Sequence, residues 1–308
     1  MIFIFRKIIP LLTLILSISS YGQQVVDSSF IGNIGEPAYE REKGPKILID
    51  EVHNNGTRLK SSFAVLSKVL IKDGYNLQPQ NQNKFEHEIL NLKVLVIIDP
   101  LATQNIDKWE LPTPSAFDKR EIKAINKFVK KGGSLLLVVD HMPFSGASQK
   151  LAQSFGVDFI NGFAIDTVQW DLTKFNRNNN SLKQHAIING RNYSEKIFEI
   201  GSYFGQCFTY SNSNLVPLLE FTDKNIVCYE PKKAWRFDSK TKIRSALGLY
   251  QGIAGEYGKG RIVILGDSSF VGAYLIGQNS RPIGMNSIEV KDNFQFILNI
   301  FHWLSRLY

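Results

Sequence analysis

Short, unbroken apolar runs punctuate this chain and alternate with stretches whose apolar residues recur every three or four positions. Val94-Leu95-Val96-Ile97-Ile98, ending at Asp99-Pro100, reads as a strand buried on both faces; Lys46 to Asp50, Leu135 to Val139 and Arg261 to Gly266 read as strands of the same sheet, and a shorter one lies near Tyr75-Asn76-Leu77. Helical patterns lie between them. Phe63, Leu66, Val69 and Leu70 share one face, closed by Gly74. Asp118 and Glu121 form a capping box ahead of Ile122, Ile125, Phe128 and Val129, and Lys130-Lys131-Gly132-Gly133 stops that helix. A third helix starts near Ser145, turns Leu151, Ala152 and Phe155 inward and ends at Gly156; a last one, capped by Asp292, buries Phe294, Ile297, Ile300, Phe301 and Leu304, with Trp303 in the core. Parallel neighbours need crossover connections, so the alternation predicts an α/β fold with a mostly parallel, doubly wound sheet and helices on both faces. From about 196 to 260 the pattern shortens to strands and turns, including Leu215 to Phe221 and Ile226 to Tyr229, which reads as an antiparallel β-rich insertion or edge.

The N-terminus changes the picture of where such a domain works. Arg6-Lys7, an apolar run from Ile8 to Ile18 and small residues Ser20 and Gly22 form a secretory signal pattern over residues 1–22, cut before Gln23. Pro10 interrupts the run, which is too short to span a bilayer, and no Cys follows the cut to take a lipid. The expected protein is periplasmic or secreted and meets the membrane only during export. Residues 23–44 are polar and irregular, a tether ahead of a single domain from 45 to 308. Loss of Arg6 and Lys7 takes the formal charge from +8 to +6, with the remaining cations scattered among acids; that excludes nucleic acid as the expected partner and leaves a mild preference for anionic ligands. Cys207 and Cys228, both in strand-like segments, are read as two buried free thiols, with a bridge between neighbouring strands as the alternative.

Candidate chemistry gathers at the strand ends, where ligands bind in open parallel sheets. One strand runs into Asp50-Glu51-Val52-His53-Asn54, a second into Asp140-His141 and a third into Asp267-Ser268-Ser269. Glu51, His53, Asp140 and His141 are the expected catalytic residues. They would serve either as ligands for a divalent metal, although no metal-specific spacing accompanies them, or as a metal-free acid/base set of the kind glycoside cleavage needs. Asn54, Trp109, Asn161, Asp166, Trp170, Asp267 and Ser268 are the expected substrate contacts, with Trp109 in a long connection from Gln104 to Phe117 that has the character of a lid. Each residue alone has a structural reading: Asp267 as a turn cap, Asp99-Pro100 as a strand stop, both tryptophans as loop anchors. The combination points to an exported hydrolase or lyase acting on a polar small molecule or oligosaccharide; the alternative is a noncatalytic ligand-binding or assembly component with protein partners in the envelope.

The segment Gly132-Gly133-Ser134-Leu135-Leu136-Leu137-Val138-Val139-Asp140-His141-Met142-Pro143, followed by Gln149 to Gly156, resembles the strand, elbow and helix of class I glutamine amidotransferase-like domains. The chain is similar, more narrowly, to a family of exported bacterial proteins with that fold, distantly related to auxiliary components of gliding-motility ABC transport systems. The resemblance spans roughly 45 to 165 and 255 to 305. It implies the fold and an envelope setting. Amidotransferases carry a Cys nucleophile at this elbow; here Asp140 and His141 occupy it, so thioester chemistry on glutamine is not expected.

Overall fold

The computed structural model describes residues 24–55, 63–78, 89 and 92–308; the expected signal segment over 1–22 lies outside the described residues. In chain order the strands are β1 Val25–Val26, β2 Lys46–Ile49, β3 Asn76–Gln78, β4 Val94–Ile98, β5 Ser134–Val138, β6 Val157–Phe159, β7 Phe163–Asp166, β8 Thr173–Asn176 and β9 Glu199–Ser202. They continue as β10 Phe208–Tyr210, β11 Leu215–Glu220, β12 Ile226–Glu230, β13 Lys242–Ser245, β14 Tyr250–Tyr257, β15 Gly260–Leu265, β16 Ala273–Ile276 and β17 Arg281–Gly284. The main sheet runs β3-β2-β4-β5-β15-β14-β10-β6, with β11 also on β14. From β3 to β15 the neighbours are parallel; β14, β10, β6 and β11 extend the sheet antiparallel.

Strict alternation along the parallel strands divides the core in two. Ile47, Ile49, Val94, Val96, Ile98, Leu136, Val138, Val263 and Leu265 face the helices Ala64–Lys72 and Asn293–Leu304. Leu48, Leu95, Ile97, Leu135, Leu137, Ile262 and Ile264 face the helices Lys119–Lys130 and Phe144–Gln153. This is the doubly wound α/β arrangement the pattern predicts. The Asp118–Glu121 capping box forms in both directions, and Gly132, at φ 116°, takes the left-handed turn that ends the helix. Among the described residues no helix is long and apolar enough to cross a membrane.

Four expectations change. The β-rich part draws in β6, β7 and β8, which precede residue 196, and splits: β10, β11 and β14 edge the main sheet, β12 sits between β7 and β13, and β9 pairs with β8. Strands this short carry too little periodicity to be seen in sequence. The segment read as a tether is docked: β1 pairs with β16, Lys68 and Lys72 donate to the carbonyls of Ser28 and Gly32, and Tyr39 packs edge-on against Tyr75 at 5.2 Å. Asp292 makes no side-chain cap to the last helix; its carboxylate accepts from the amides of Phe198 and Glu199 at 2.7 and 3.0 Å and ties β9 to that helix.

Cys207 and Cys228 form a disulfide rather than two free thiols, their Cα atoms 6.7 Å apart. The pairing that sequence could not supply is β12 lying against β7, with the segment before β10 alongside. Both cysteines are buried, so the bridge closes a loop inside the core. Denatured, unreduced protein is therefore expected to present no titratable thiol, and reduction to lower the unfolding free energy by about 3 kcal/mol, read as a shift of the urea midpoint.

Candidate functional site

Three adjacent parallel strands, β4, β5 and β15, each run into an aspartate at the carboxyl edge of the sheet. Asp99 follows β4 at φ 46°, and its Oδ1 accepts the amide of Asp140 at 2.8 Å. Asp140 follows β5; its Oδ2 accepts the Ser268 hydroxyl at 3.2 Å. Asp267 follows β15 and caps the turn Ser268–Val271, accepting the Ser269 amide and hydroxyl, each at 2.7 Å. Asp99 and Asp267 are buried and Asp140 is half-buried. Among the described residues no ion pair reaches any of the three. Burial without a counter-cation disfavours the charged form. It pushes Asp99 up to about 7, with the Asp267 charge adding to the effect. Burial, reinforced by the neighbouring Asp267 and Asp99, holds Asp140 well above the usual carboxylate range, and burial raises Asp267 too.

Asp140, Ser268 and Ser269 form the polar floor of a cavity of about 650 Å³. Its walls are aromatic: Trp170 from the turn after β7, Tyr203 and Phe204 after β9, Trp235 and Phe237 from the loop between β12 and β13, and Tyr274 on β16. Gln278, Asn279 and Arg281 from the β16–β17 hairpin and Asp171 complete the rim. Trp170, Phe204 and Trp235 stand at φ 63°, 62° and 64°. Bulky residues rarely adopt this left-handed conformation, which costs on the order of 1–3 kcal/mol each and clusters at ligand sites. Three aromatic side chains held this way around one hollow stand against their local backbone preference. Gly205 makes the approach feasible: a Cβ there would collide with the carbonyl of Gly266 and the Asp267 side chain, so the segment bearing Tyr203 and Phe204 lies directly on the end of β15.

The expected catalytic quartet does not converge. Asp140 and His141 line the cavity, whereas Glu51 and His53 do not. His53 is buried between Asp50 (Nδ1 to Oδ2, 2.8 Å) and Glu121 (Nε2 to Oε1, 3.2 Å), with its ring 4.2 Å from that of Phe117. Burial opposes its charge, but the two carboxylates outweigh burial and raise its pKa. It is thus an internal link from the end of β2 to the helix Lys119–Lys130. His141 stacks on Phe163 at 4.1 Å and donates from Nδ1 to the Met142 carbonyl at 2.6 Å; burial depresses its pKa to about 4, so it is a neutral wall element. The metal set Glu51, His53, Asp140 and His141 fails for the same reason, and among the described residues no three His, Cys, Asp or Glu side chains are arranged to hold a metal ion.

The expected substrate contacts divide similarly. Trp170 and Ser268 line the cavity, and Asp267 lies beneath its floor. Asn54 donates to the Leu101 carbonyl at 3.0 Å, Asn161 bridges Ser145, Gly146 and Thr113, and Asp166 caps its own turn through the amides of Val168 and Gln169. These three are local structure. Trp109 packs edge-on against Phe144 at 5.1 Å, and its carbonyl accepts the Ala234 amide. The segment expected as a lid is therefore an ordered brace for the loop that carries Trp235. Sequence reasoning misses Asp99, Tyr203, Phe204, Trp235, Phe237 and Tyr274 as site residues. For Asp99 a signal exists, since its strand ends on an acid as the strand before Asp140 does.

With this geometry the chain belongs to the mixed α/β proteins with a parallel central sheet and an antiparallel edge. Neither the protein-family models nor the curated proteins compared with the chain match its sequence. Solved structures do share the fold. The one described as mmIFT52 N-terminal domain is 12% identical, with a TM-score of 0.59 over 84% of this chain and 97% of that one. A ThuA-like protein from Bacteroides uniformis is also 12% identical, with a TM-score of 0.46 over 89% of this chain and 94% of that one. A GMP synthase-type protein from Thermoplasma acidophilum has 12% identity and a TM-score of 0.46 over 86% of this chain and 96% of that one. Both cysteines of this chain are in the disulfide, so no thiolate stands at the turn after β5.

The buried carboxyls make stability depend on pH. An aspartate whose pKa is raised by folding contributes stability that is complete below its unfolded value near 4 and is lost as pH rises through its folded value, for Asp99 about 7. Asp99→Asn retains an acceptor for the Asp140 amide and removes that titration. Relative to wild type, the variant is expected to gain urea resistance steadily between about pH 4 and pH 7; a difference that stays flat across that window would show that Asp99 ionises as freely folded as unfolded.

Proposed function

We propose that this protein is an exported, saccharide-binding component of the bacterial cell envelope. The observation that carries the reading is the cavity itself, with aromatic rings around a hydroxyl and carboxyl floor. Sugar rings have apolar C–H faces and a hydroxyl perimeter. They are matched by aromatic walls and a few convergent polar groups, here Asp140, Ser268 and Ser269 below and Gln278 and Asn279 at the rim. The volume of about 650 Å³ lies within the ordinary range for small-molecule sites. Export is supported by the signal pattern before Gln23 and by the Cys207–Cys228 bridge, which persists in oxidising compartments. The similarity to exported bacterial proteins related to gliding-motility transport auxiliaries favours the same setting.

A hydrolase or lyase reading is favoured by one observation. Asp140 is half-buried, borders the cavity and holds its proton more tightly than an ordinary carboxyl, as a general acid for glycoside cleavage must. The other acid at the cavity, Asp171, is engaged by Arg281. Binding therefore takes precedence over catalysis, and loss of sugar release in Asp140→Asn would be the mark of the enzymatic function.

Titration of tryptophan fluorescence with mono- and oligosaccharides is expected to saturate. Trp235→Ala is expected to weaken binding at least 10-fold, about 1.4 kcal/mol. Trp170 is 54% exposed and at positive φ, and glycine adopts that conformation freely. Trp170→Gly should thus weaken binding without lowering Tm. A protein whose fluorescence and Tm ignore every saccharide offered would not be a saccharide binder.

A further inference from the structure

The charge of the cavity is lopsided. Asp140 forms its floor, and the carboxyls of Asp99 and Asp267 lie behind it, none of the three in an ion pair among the described residues. The one cation among the lining residues, Arg281, is already held by Asp171 and lies 3.6 Å from Glu289, so its charge is neutralised inside the wall. His141, the lining imidazole, is neutral. Aromatic faces add the negative side of their quadrupoles.

The shape of the aromatic wall points the same way. Phe204 meets Trp235 at 88°, Trp170 meets Phe204 at 79°, and His141 meets Trp235 at 79°. Rings set at right angles build the corner of a box, which surrounds a compact cationic group, whereas a single flat platform offers it one face. An acid lining the same cavity gives the cation a direct partner, and a carboxyl that resists ionisation when alone ionises readily beside a positive charge.

We propose that the saccharide recognised here carries a free ammonium group, as a hexosamine does, with the ammonium seated against Asp140 in the corner made by Phe204 and Trp235. This rests on the saccharide reading above and narrows it to a charge class. An N-acetylated or neutral sugar offers no positive charge to the floor, and a uronic acid brings a negative one towards Asp140.

Calorimetric titration of the protein at pH 6 with glucosamine, N-acetylglucosamine, glucose and glucuronate tests the inference. Glucosamine is expected to bind at least 10-fold more tightly than the other three. Asp140→Asn keeps an acceptor oxygen for the His141 amide and turns an NH2 towards the Ser268 hydroxyl, which can accept in its turn, and is expected to bring glucosamine down to the affinity of glucose. The ranking of the four sugars on wild type tests the idea even if the variant does not fold. Glucose or N-acetylglucosamine binding as well as glucosamine, or glucuronate binding better, would overturn the ammonium assignment and leave the saccharide reading standing. Absence of heat with all four would overturn both.

Discussion

Strands buried on both faces impose the constraint from which the rest of this molecule follows. β2, β4, β5 and β15 have no polar face to give to water, so each must be covered above and below, and parallel pairing obliges the chain to cross back over the sheet each time. The crossovers supply the cover. The same geometry brings every strand out at one edge, and that edge is where polar residues first find partners after an apolar run. Asp99, Asp140 and Asp267 are neighbours because their strands are neighbours, although they are far apart in sequence.

That edge is also where the fold gives up stability. Three carboxyls gather there with no ion pair among the described residues, and three bulky aromatic residues hold left-handed backbone beside them. Departures of this kind from local preference are concentrated where a protein meets a ligand rather than where it merely packs. Elsewhere the ionisable groups have ordinary partners: His53 has Asp50 and Glu121, His302 has Asp73, and Arg191 has Glu195. The contrast distinguishes the cavity from the other polar clusters of the chain.

The parallel half of the fold is legible in the sequence because its signals are local. Apolar runs mark the strands, and the Asp118–Glu121 box and Gly132 bound a helix that lies where the pattern puts it. Asp140, His141, Trp170 and Ser268, singled out by strand-end position and side-chain type, do line the cavity. Glu51 and His53 have the same credentials and fail, because what separates a cavity floor from an internal salt link is which helix packs over the strand end. Here Glu121 and Phe117 close over His53. The aromatic wall is hidden for a different reason. Phe204, Trp235 and Tyr274 come from three loops or hairpins of the antiparallel part, and nothing local marks that β12 and β16 flank the same opening. The disulfide is hidden likewise, since it depends on a pairing between strands remote in sequence.

The docking of the leading segment has a practical corollary. Val25 and Val26 run alongside Leu275 and Tyr274, and Gln24 itself borders the cavity. A purification tag, reporter or surface linker joined immediately ahead of Gln24 would emerge at the opening and compete for it, whereas immobilising the molecule through the exposed Lys130, which lies beside Lys259 in the turn before β15 at the opposite edge of the sheet, leaves the mouth clear.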